Sequence, residues 1–186
     1  MKLKQLLTAI KYRAEQVPDV DITDLVYDSR KAVPGCAFVC LRGANADGHK
    51  YAKMAAEKGA AVIIAEEPVE APVPVILTEN TRLALAYLSA EFFGHPAEQM
   101  HVIGITGTKG KTTTAFMMRS ILEAAGHKTG VIGTIGVLYG DTLIQTDNTT
   151  PENYEVQKFM RQMVDAGCEY CVMEVSSQAL AQGRVN

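Results

Sequence analysis

The feature that most constrains the fold of this 186-residue chain is a glycine-rich segment between two apolar patterns. An apolar run at 100–103 is typical of a buried strand, and the sequence GITGTKGKTTT follows it from Gly104 to Thr114. Residues 113–122 then have the apolar character of a helix. Such a turn presents backbone N–H groups at the positive end of a helix dipole, and this arrangement suits phosphate. The segment therefore predicts an α/β fold with a phosphate-binding loop.

Two side chains of this loop suit a nucleoside triphosphate. Lys111 supplies a positive charge for the terminal phosphates, and Thr112 supplies a hydroxyl that can bind Mg²⁺. The loop departs from the strict P-loop pattern, because the first glycine of that pattern would fall at residue 105, which is Ile105. The glycines ahead of Gly110 are Gly104 and Gly107. A glycine-rich turn without a ligand remains the alternative interpretation.

Apolar patterns divide the chain into two series of strands and helices. The first series has helices predicted at 3–10, 49–58 and 81–93, and strands at 22–27, 37–41, 61–65 and 74–78. The second has strands at 100–103, 131–135 and 170–175, a hairpin at 138–146, and helices at 113–122 and 152–166. A glycine and a proline within Gly94–Ala97 favour a boundary there. We therefore expect two α/β domains, 1–96 and 97–186, with helices that cross between parallel strands.

Composition and charge exclude several classes of protein. The net charge of −3 gives no basic excess for nucleic acid. No apolar run is long enough to span a membrane, and the N-terminus lacks a signal-peptide core. We therefore expect a cytoplasmic protein with neither a nucleic acid nor a membrane as partner.

The four cysteines allow a zinc site or buried free thiols. Cys168 and Cys171 have the spacing of zinc ligands. Cys36 and Cys40 lie in a strand-like run, where four steps of ~3.3 Å separate them by about 13 Å, too far for one ion. The sequence therefore favours buried free thiols in a reducing compartment.

Polar residues follow two other predicted elements of the second series. Glu174 ends a predicted strand, where its carboxylate can share a Mg²⁺ with Thr112. The polar run 148–151 precedes a helix, and 176–178 follows Glu174, with Gln182 and Arg184 beyond. These groups could hold a second, anionic substrate. A helix cap explains Thr150, although not the whole run 148–151, and a polar helix start is an adequate explanation of 176–178.

Together, these motifs resemble the Mur ligases of peptidoglycan synthesis. The resemblance rests on Gly107–Thr113, Asp147–Pro151, Met173–Ser177 and Gln182–Arg184 in the second half. In the first half, Asp28–Arg30, Gly35–Val39 and Arg42–Gly48 resemble the uridine-nucleotide domain of the members that add the third amino acid. The resemblance implies a small uridine-nucleotide-binding α/β domain, followed by part of a parallel-sheet ATPase domain of P-loop type.

The resemblance also implies a reaction and a set of site residues. An ATP- and Mg²⁺-dependent monomer would activate the carboxylate of a UDP-N-acetylmuramoyl-dipeptide as an acyl phosphate, which a diamino acid then attacks. Lys111 and Glu174 would be catalytic, and Thr112 and Glu174 would bind the metal. ATP would be bound by Gly107, Thr108, Lys109, Gly110, Lys111, Thr112 and Thr113. The UDP-sugar end of the substrate would be contacted by Ser29, Ala44, Asn45 and Ala46. The muramoyl-peptide would be held by Asn148, Thr149, Thr150, Ser176, Gln182 and Arg184.

Two departures from the family limit what the resemblance implies. Gln178 stands where family members often have histidine. The family also continues beyond residue 186 with a metal-binding histidine, a modified lysine and an amino-acid-selecting domain. We therefore expect an incomplete form that is inactive alone, with an exposed and aggregation-prone sheet edge at 170–175.

Several alternatives remain open at the level of sequence. The added amino acid is expected to be meso-2,6-diaminopimelate, with L-lysine as the alternative. Folylpolyglutamate synthetase has a similar loop, although Asp28–Arg30 argues against it. The chain could also be a nucleotide-binding module without catalysis of its own.

Overall fold

The computed structural model describes residues 1–43 and 46–185 of the chain. The chain divides into two compact units, Met1–Phe92 and Phe93–Asn186. Each unit contains a sheet, of four strands in the first and five in the second. This α/β architecture with parallel strands confirms the predicted fold class.

The first unit is a parallel sheet with helices. Its strands are β1 (Leu25–Val26), β2 (Ala37–Val39), β3 (Val62–Ala65) and β4 (Val75–Leu77), which pair in chain order. Its helices are α1 (Leu3–Leu6), α2 (Ala52–Glu57) and α3 (Thr81–Phe92). All residues of β2 and β3 are buried, as expected for strands that are covered on both faces. The carboxyl ends of these parallel strands meet at one edge, where charged loops follow.

The second unit has a mixed sheet. Its strands are β5 (His101–Ile105), β6 (Thr129–Gly133), β7 (Gly136–Tyr139), β8 (Thr142–Ile144) and β9 (Tyr170–Glu174). Its helices are α4 (Lys111–Ala124), α5 (Asn153–Asp165) and α6 (Ser177–Ala181). The strand order is β5-β9-β6-β7-β8, in which β5, β9 and β6 are parallel. Strands β7 and β8 form the predicted antiparallel hairpin.

The prediction that residues 170–175 form an exposed sheet edge is wrong. Strand β9 lies between β5 and β6 and pairs with both, since Met173 lies opposite Gly104 on one side and Ile132 on the other. The connection through α4 leaves a position free between β5 and β6, and β9 fills it. The edge strands of this sheet are β5, in which Val102 is 40% exposed, and β8.

The boundaries of α4 and β6 differ from the sequence prediction for local reasons. Helix α4 begins at Lys111, directly after Gly110, which has φ +81° and therefore turns the chain sharply. Strand β6 ends at Gly133, because Thr134 and Ile135 form the turn into β7. The sequence predicts α6 only as a polar helix start, and the Ser176 hydroxyl caps this helix by accepting from the Ala179 N–H at 3.1 Å.

The four cysteines are buried free thiols, as the sequence favoured. Burial raises the pKa of the Cys40 thiol and of the Cys171 thiol to about 12. Within the described ranges, no helix is both long and apolar enough to cross a bilayer.

Candidate nucleotide and metal site

The glycine-rich loop connects the end of β5 to the start of α4. Gly107 and Gly110 have positive φ angles of +151° and +81°, which glycine adopts without strain. Residues 106–110 are exposed, so the loop faces solvent. The Lys111 ammonium donates to the Gly107 carbonyl at 2.9 Å, and the loop therefore keeps this charge beside its own backbone.

Glu174 lies beside the loop at the carboxyl end of β9. Its side chain is buried, with the residue 1% exposed. The Thr112 hydroxyl donates to Glu174 Oε2 at 3.0 Å, and the Thr134 N–H donates to Oε1 at 3.0 Å. The Thr134 hydroxyl lies 3.3 Å from Oε2. These donors satisfy a buried carboxylate and bring no positive charge to it.

The donor set at this place fits Mg²⁺. The Thr112 hydroxyl and the Glu174 carboxylate are hard oxygen ligands, which this cation prefers, and they lie 3.0 Å apart. Both residues follow or end parallel strands at the edge where α/β sheets bind ligands. The sequence prediction that Thr112 and Glu174 share a site therefore agrees with their positions.

Gly133 makes room for the Glu174 carboxylate. A Cβ atom at Gly133 would lie 2.2 Å from Glu174 Oε1 and 2.8 Å from its Cδ. Because these separations are far below van der Waals contact, the position admits only glycine while Glu174 stays in place. Sequence reasoning missed both Gly133 and Thr134. The signal that could have identified them was their position near the end of the strand predicted at 131–135, at the same edge of the sheet as Glu174.

The predicted substrate loop 148–151 is joined to the end of β9. The Thr150 hydroxyl donates to the Glu174 carbonyl at 2.8 Å and accepts from the Ser176 N–H at 3.1 Å. The Thr149 hydroxyl lies 3.0 Å from the Thr134 hydroxyl. The structure therefore brings Thr149, Thr150 and Ser176 close to Glu174.

The other predicted substrate residues make contacts within the unit. Arg184 Nη1 donates to the Thr150 carbonyl at 3.1 Å, and Arg184 Nε lies 3.0 Å from Glu152 Oε1. This guanidinium thus ties the chain after α6 to the loop before α5. Asn148 is exposed, and its carbonyl accepts from the Thr146 hydroxyl at 3.1 Å. Gln182 is half-buried, and its N–H donates to the Gln178 carbonyl at 2.9 Å.

In the first unit, the predicted contacts to the UDP-sugar follow neighbouring strands. Ser29 is buried in a 3₁₀ turn after β1, where its carbonyl accepts from Lys58 Nζ at 3.1 Å. Ala46 is exposed after β2, and its carbonyl accepts from the Gly43 N–H at 2.9 Å. Both residues follow carboxyl ends of parallel strands, so they lie at the same edge of the sheet. The predicted residues Ala44 and Asn45 lie outside the described residues.

Asp28 holds the turn that contains Ser29. Its carboxylate accepts from the Arg30 N–H at 3.0 Å and pairs with the Arg30 guanidinium at 2.8 Å. The hydrogen bond from the Arg30 side chain is the main cause that lowers the pKa of the Asp28 carboxyl. The motif Asp28–Arg30 therefore fixes a local turn.

A cluster near the same edge has the residue types of a metal site. Ligand atoms of Asp47, His49 and Glu67 lie within 4.8 Å of one another. His49 Nδ1 lies 2.6 Å from Asp47, and its Nε2 accepts from the Glu66 N–H at 3.0 Å. Arg42 pairs with Asp47, Glu66 and Glu67 at 3.7, 3.4 and 3.0 Å. Because both ring nitrogens of His49 are engaged and Arg42 already pairs with these carboxylates, the cluster is a poor cation site.

Two sequence families match the chain. Residues 21–93 match the family described as "Mur ligase family, catalytic domain", and residues 105–186 match the "Mur ligase middle domain". Similar curated proteins are the UDP-N-acetylmuramoyl-L-alanyl-D-glutamate–2,6-diaminopimelate ligases of Bacillus licheniformis and Bacillus cereus, which are 50% and 46% identical over the whole chain. The chain spans 38% of the length of each of these relatives.

Solved structures have a similar fold. A UDP-N-acetylmuramoyl-L-alanyl-D-glutamate–2,6-diaminopimelate ligase matches all of the chain with a TM-score of 0.80 at 21% identity, over 38% of its own length. MurF from Acinetobacter baumannii matches 94% of the chain with a TM-score of 0.66 at 30% identity, over 35% of its length. MurF ligase from Thermotoga maritima in complex with ADP matches 83% of the chain with a TM-score of 0.58 at 25% identity, over 32% of its length.

Proposed function

Because the chain belongs to the Mur ligase family, we propose that it acts in the ATP-dependent addition of meso-2,6-diaminopimelate to UDP-N-acetylmuramoyl-L-alanyl-D-glutamate. The relatives that match the whole chain at 50% and 46% identity are named as ligases of UDP-N-acetylmuramoyl-L-alanyl-D-glutamate and 2,6-diaminopimelate. Their names favour diaminopimelate over lysine as the added amino acid. The proposed products are the tripeptide, ADP and phosphate.

The observation that carries this proposal is the pairing of the Thr112 hydroxyl with the Glu174 carboxylate at 3.0 Å. Thr112 belongs to the glycine-rich loop, and Glu174 ends the strand beside it. A nucleotide on the loop would thus have its terminal phosphates next to the two oxygen ligands proposed for Mg²⁺. When bound, the metal neutralises charge on the phosphates.

The residues of the loop have distinct proposed roles. Backbone N–H groups of Gly107–Thr113 hold the phosphates at the start of α4. Lys111 exchanges the Gly107 carbonyl for the terminal phosphate, where its charge stabilises the phosphoryl group during transfer. The peptide carboxylate attacks that phosphorus and ADP leaves. The amine of diaminopimelate then attacks the acyl phosphate carbon, phosphate leaves, and the amine loses a proton.

The two units are proposed to bind different parts of the substrates. Ser29 and Ala46, which follow the carboxyl ends of β1 and β2, bind the UDP end in the first unit, together with Ala44 and Asn45, which lie outside the described residues. In the second unit, Thr149, Thr150, Ser176 and Arg184 bind the muramoyl-peptide beside Glu174. Asn148 and Gln182 complete this proposed surface. The division into domains at 1–96 and 97–186 is part of the same proposal.

We further propose that the protein acts as a monomer in the cytoplasm. Four free buried cysteines fit a reducing compartment, in which thiols persist.

The proposal is tested by calorimetric titration of the chain with β,γ-imido-ATP in the presence of Mg²⁺. Lys111→Ala should weaken binding at least about tenfold, which corresponds to about 1.4 kcal/mol. Lys158→Ala is the matched control, since Lys158 is an exposed lysine of α5 in the same unit, and it should leave the affinity unchanged. Equal affinity of the Lys111→Ala variant and the unsubstituted chain would refute the assignment.

A further inference from the structure

Thr134 connects the predicted metal ligand to the predicted substrate loop. Its hydroxyl lies 3.3 Å from Glu174 Oε2 and 3.0 Å from the Thr149 hydroxyl. Its N–H separately holds Glu174 Oε1 at 3.0 Å. Thr134 is exposed in the turn after β6, so its hydroxyl is not part of the apolar core. The Thr134 hydroxyl therefore contacts both the Glu174 carboxylate, which is assigned to Mg²⁺, and the Thr149 hydroxyl, which is assigned to the muramoyl-peptide.

The donors and acceptors along this path have a fixed direction. A hydroxyl carries one proton, and a carboxylate oxygen can only accept. The Thr134 proton therefore goes to Glu174 Oε2, and the Thr149 hydroxyl donates to Thr134. Thr112 also donates to Oε2. All hydroxyl protons of the path consequently point towards Glu174.

This direction can reverse when Glu174 binds a cation. Oε2 then has fewer lone pairs for its two hydroxyl donors, and Thr134 holds it at the longer distance, 3.3 Å against 3.0 Å for Thr112. Once released, the Thr134 hydroxyl can donate to Thr149. The Thr149 proton then becomes available to an anionic group outside the protein, and such a group is what the proposed substrate presents.

We propose that Thr134 is a positioning residue that couples the two sites, so that Mg²⁺–nucleotide bound at Thr112–Glu174 and muramoyl-peptide bound at Thr149 strengthen each other. The inference rests on the proposed function for the identity of both ligands. Binding linkage is reciprocal, and each ligand therefore raises the affinity of the other by the same factor. Gly133 supports the arrangement, because its missing side chain lets Glu174 reach both groups of Thr134.

The test measures how much UDP-N-acetylmuramoyl-L-alanyl-D-glutamate improves the affinity of the chain for Mg²⁺–β,γ-imido-ATP. The unsubstituted chain should show an improvement of about fivefold or more, the lower end of typical coupling between sites. Thr134→Val removes the hydroxyl and keeps the N–H bond to Oε1, so the improvement should fall below about twofold. Thr134→Ser keeps the hydroxyl and should retain the full improvement.

Two further variants separate coupling from general damage. Thr142→Val makes the same change at an exposed position of β8 and should retain the coupling. Thr149→Val should abolish the coupling. The double variant with Thr134→Val should show no further loss of coupling, because both changes interrupt the same hydrogen-bond path. Urea unfolding of each variant checks that the second unit stays folded.

The possible outcomes distinguish the two proposals. If Thr134→Val binds the nucleotide normally and keeps the full coupling, the proposed role of Thr134 is overturned and the proposed function stands. A lack of Mg²⁺-dependent nucleotide binding in the unsubstituted chain overturns the proposed function, and the coupling with it. Loss of coupling in Thr134→Val together with its retention in Thr134→Ser supports the inference.

Discussion

Acidic side chains at the two sheet edges are held by different partners. In the first unit, the Arg42 guanidinium lies within 3.0 to 3.7 Å of Asp47, Glu66 and Glu67. In the second unit, Glu174 is buried and accepts hydrogen bonds from Thr112 and Thr134, whose donors are neutral. The first edge thus contains its own cation, whereas the second contains a carboxylate with neutral neighbours.

This difference separates a structural cluster from a candidate ligand site. Carboxylates that already pair with an arginine lose that partner's attraction when a metal replaces it. Glu174 gains a cation without giving one up, because hydroxyl and amide donors only satisfy its oxygens. The number of acidic residues alone would favour the first unit as the cation site. The charge of their hydrogen-bond and ion-pair partners favours the second unit instead.

The largest expected effect comes from removing the charge of Glu174. Glu174→Gln should weaken Mg²⁺-dependent binding of β,γ-imido-ATP about 100-fold, or about 2.7 kcal/mol, since a neutral amide attracts the cation poorly. Glu67→Gln, at the arginine-paired edge, should leave that affinity unchanged. Calorimetry with and without Mg²⁺ provides the measurement. Equal losses in the two variants would remove the distinction between the two edges.

A smaller effect should follow from filling the space beside Glu174. Gly133→Ala places a Cβ 2.2 Å from Glu174 Oε1, and we expect it to destabilise the second unit by about 2 kcal/mol through overpacking. Gly104→Ala is the matched control in β5, because its Cβ would meet only Val175 Cγ2 at 3.5 Å, an ordinary contact. Its effect should stay below about 0.5 kcal/mol. Urea midpoints followed by amide NMR signals of β9 would measure both, and equal midpoints would mean that Glu174 is not held tightly.

The smallest expected effect is on the stability of the first unit at acid pH. The hydrogen bond with the His49 side chain is the main cause that lowers the pKa of the Asp47 carboxyl below its usual 3.8. A depressed pKa stabilises the folded state above about pH 3.8, and this contribution is lost as the pH falls towards the folded-state pKa. The urea midpoint of the first unit should therefore decline less between pH 5 and pH 3 in Asp47→Asn.

The readout for this prediction is the set of amide NMR signals of β3. Asp141→Asn, in the exposed turn between β7 and β8, is the control and should leave the pH profile of the first unit unchanged. An unaltered profile in Asp47→Asn would show that the pairing with His49 does not contribute to stability at that edge.

Local signals in the sequence predicted much of this fold. The glycine pattern of Gly107 and Gly110 indicated the turn from β5 into α4, because these angles require glycine. Apolar runs located most strands, since covered strands of a parallel sheet are apolar throughout. The strand-end position of Glu174 indicated an edge where ligands bind.

Other features depend on pairing between distant residues and carry no local signal. The insertion of β9 between β5 and β6 follows from the path of the chain, so residues 170–175 were wrongly expected at an edge. Gly133 looks like an ordinary small residue in its strand until Glu174 lies against it. The bridge through Thr134 likewise exists only after three separate segments have met.

The central position of β9 also governs the order in which the second sheet can assemble. Strands β1 to β4 pair in the order in which the chain is made, whereas β9 must enter between two strands that were made before it. Thr112 and Glu174 are 62 residues apart, and contacts over such separations form slowly because a long loop must close first. A nascent chain that has completed β5, α4 and β6 therefore has its phosphate loop but lacks the carboxylate beside it. The proposed nucleotide site is among the last parts of this unit to become complete.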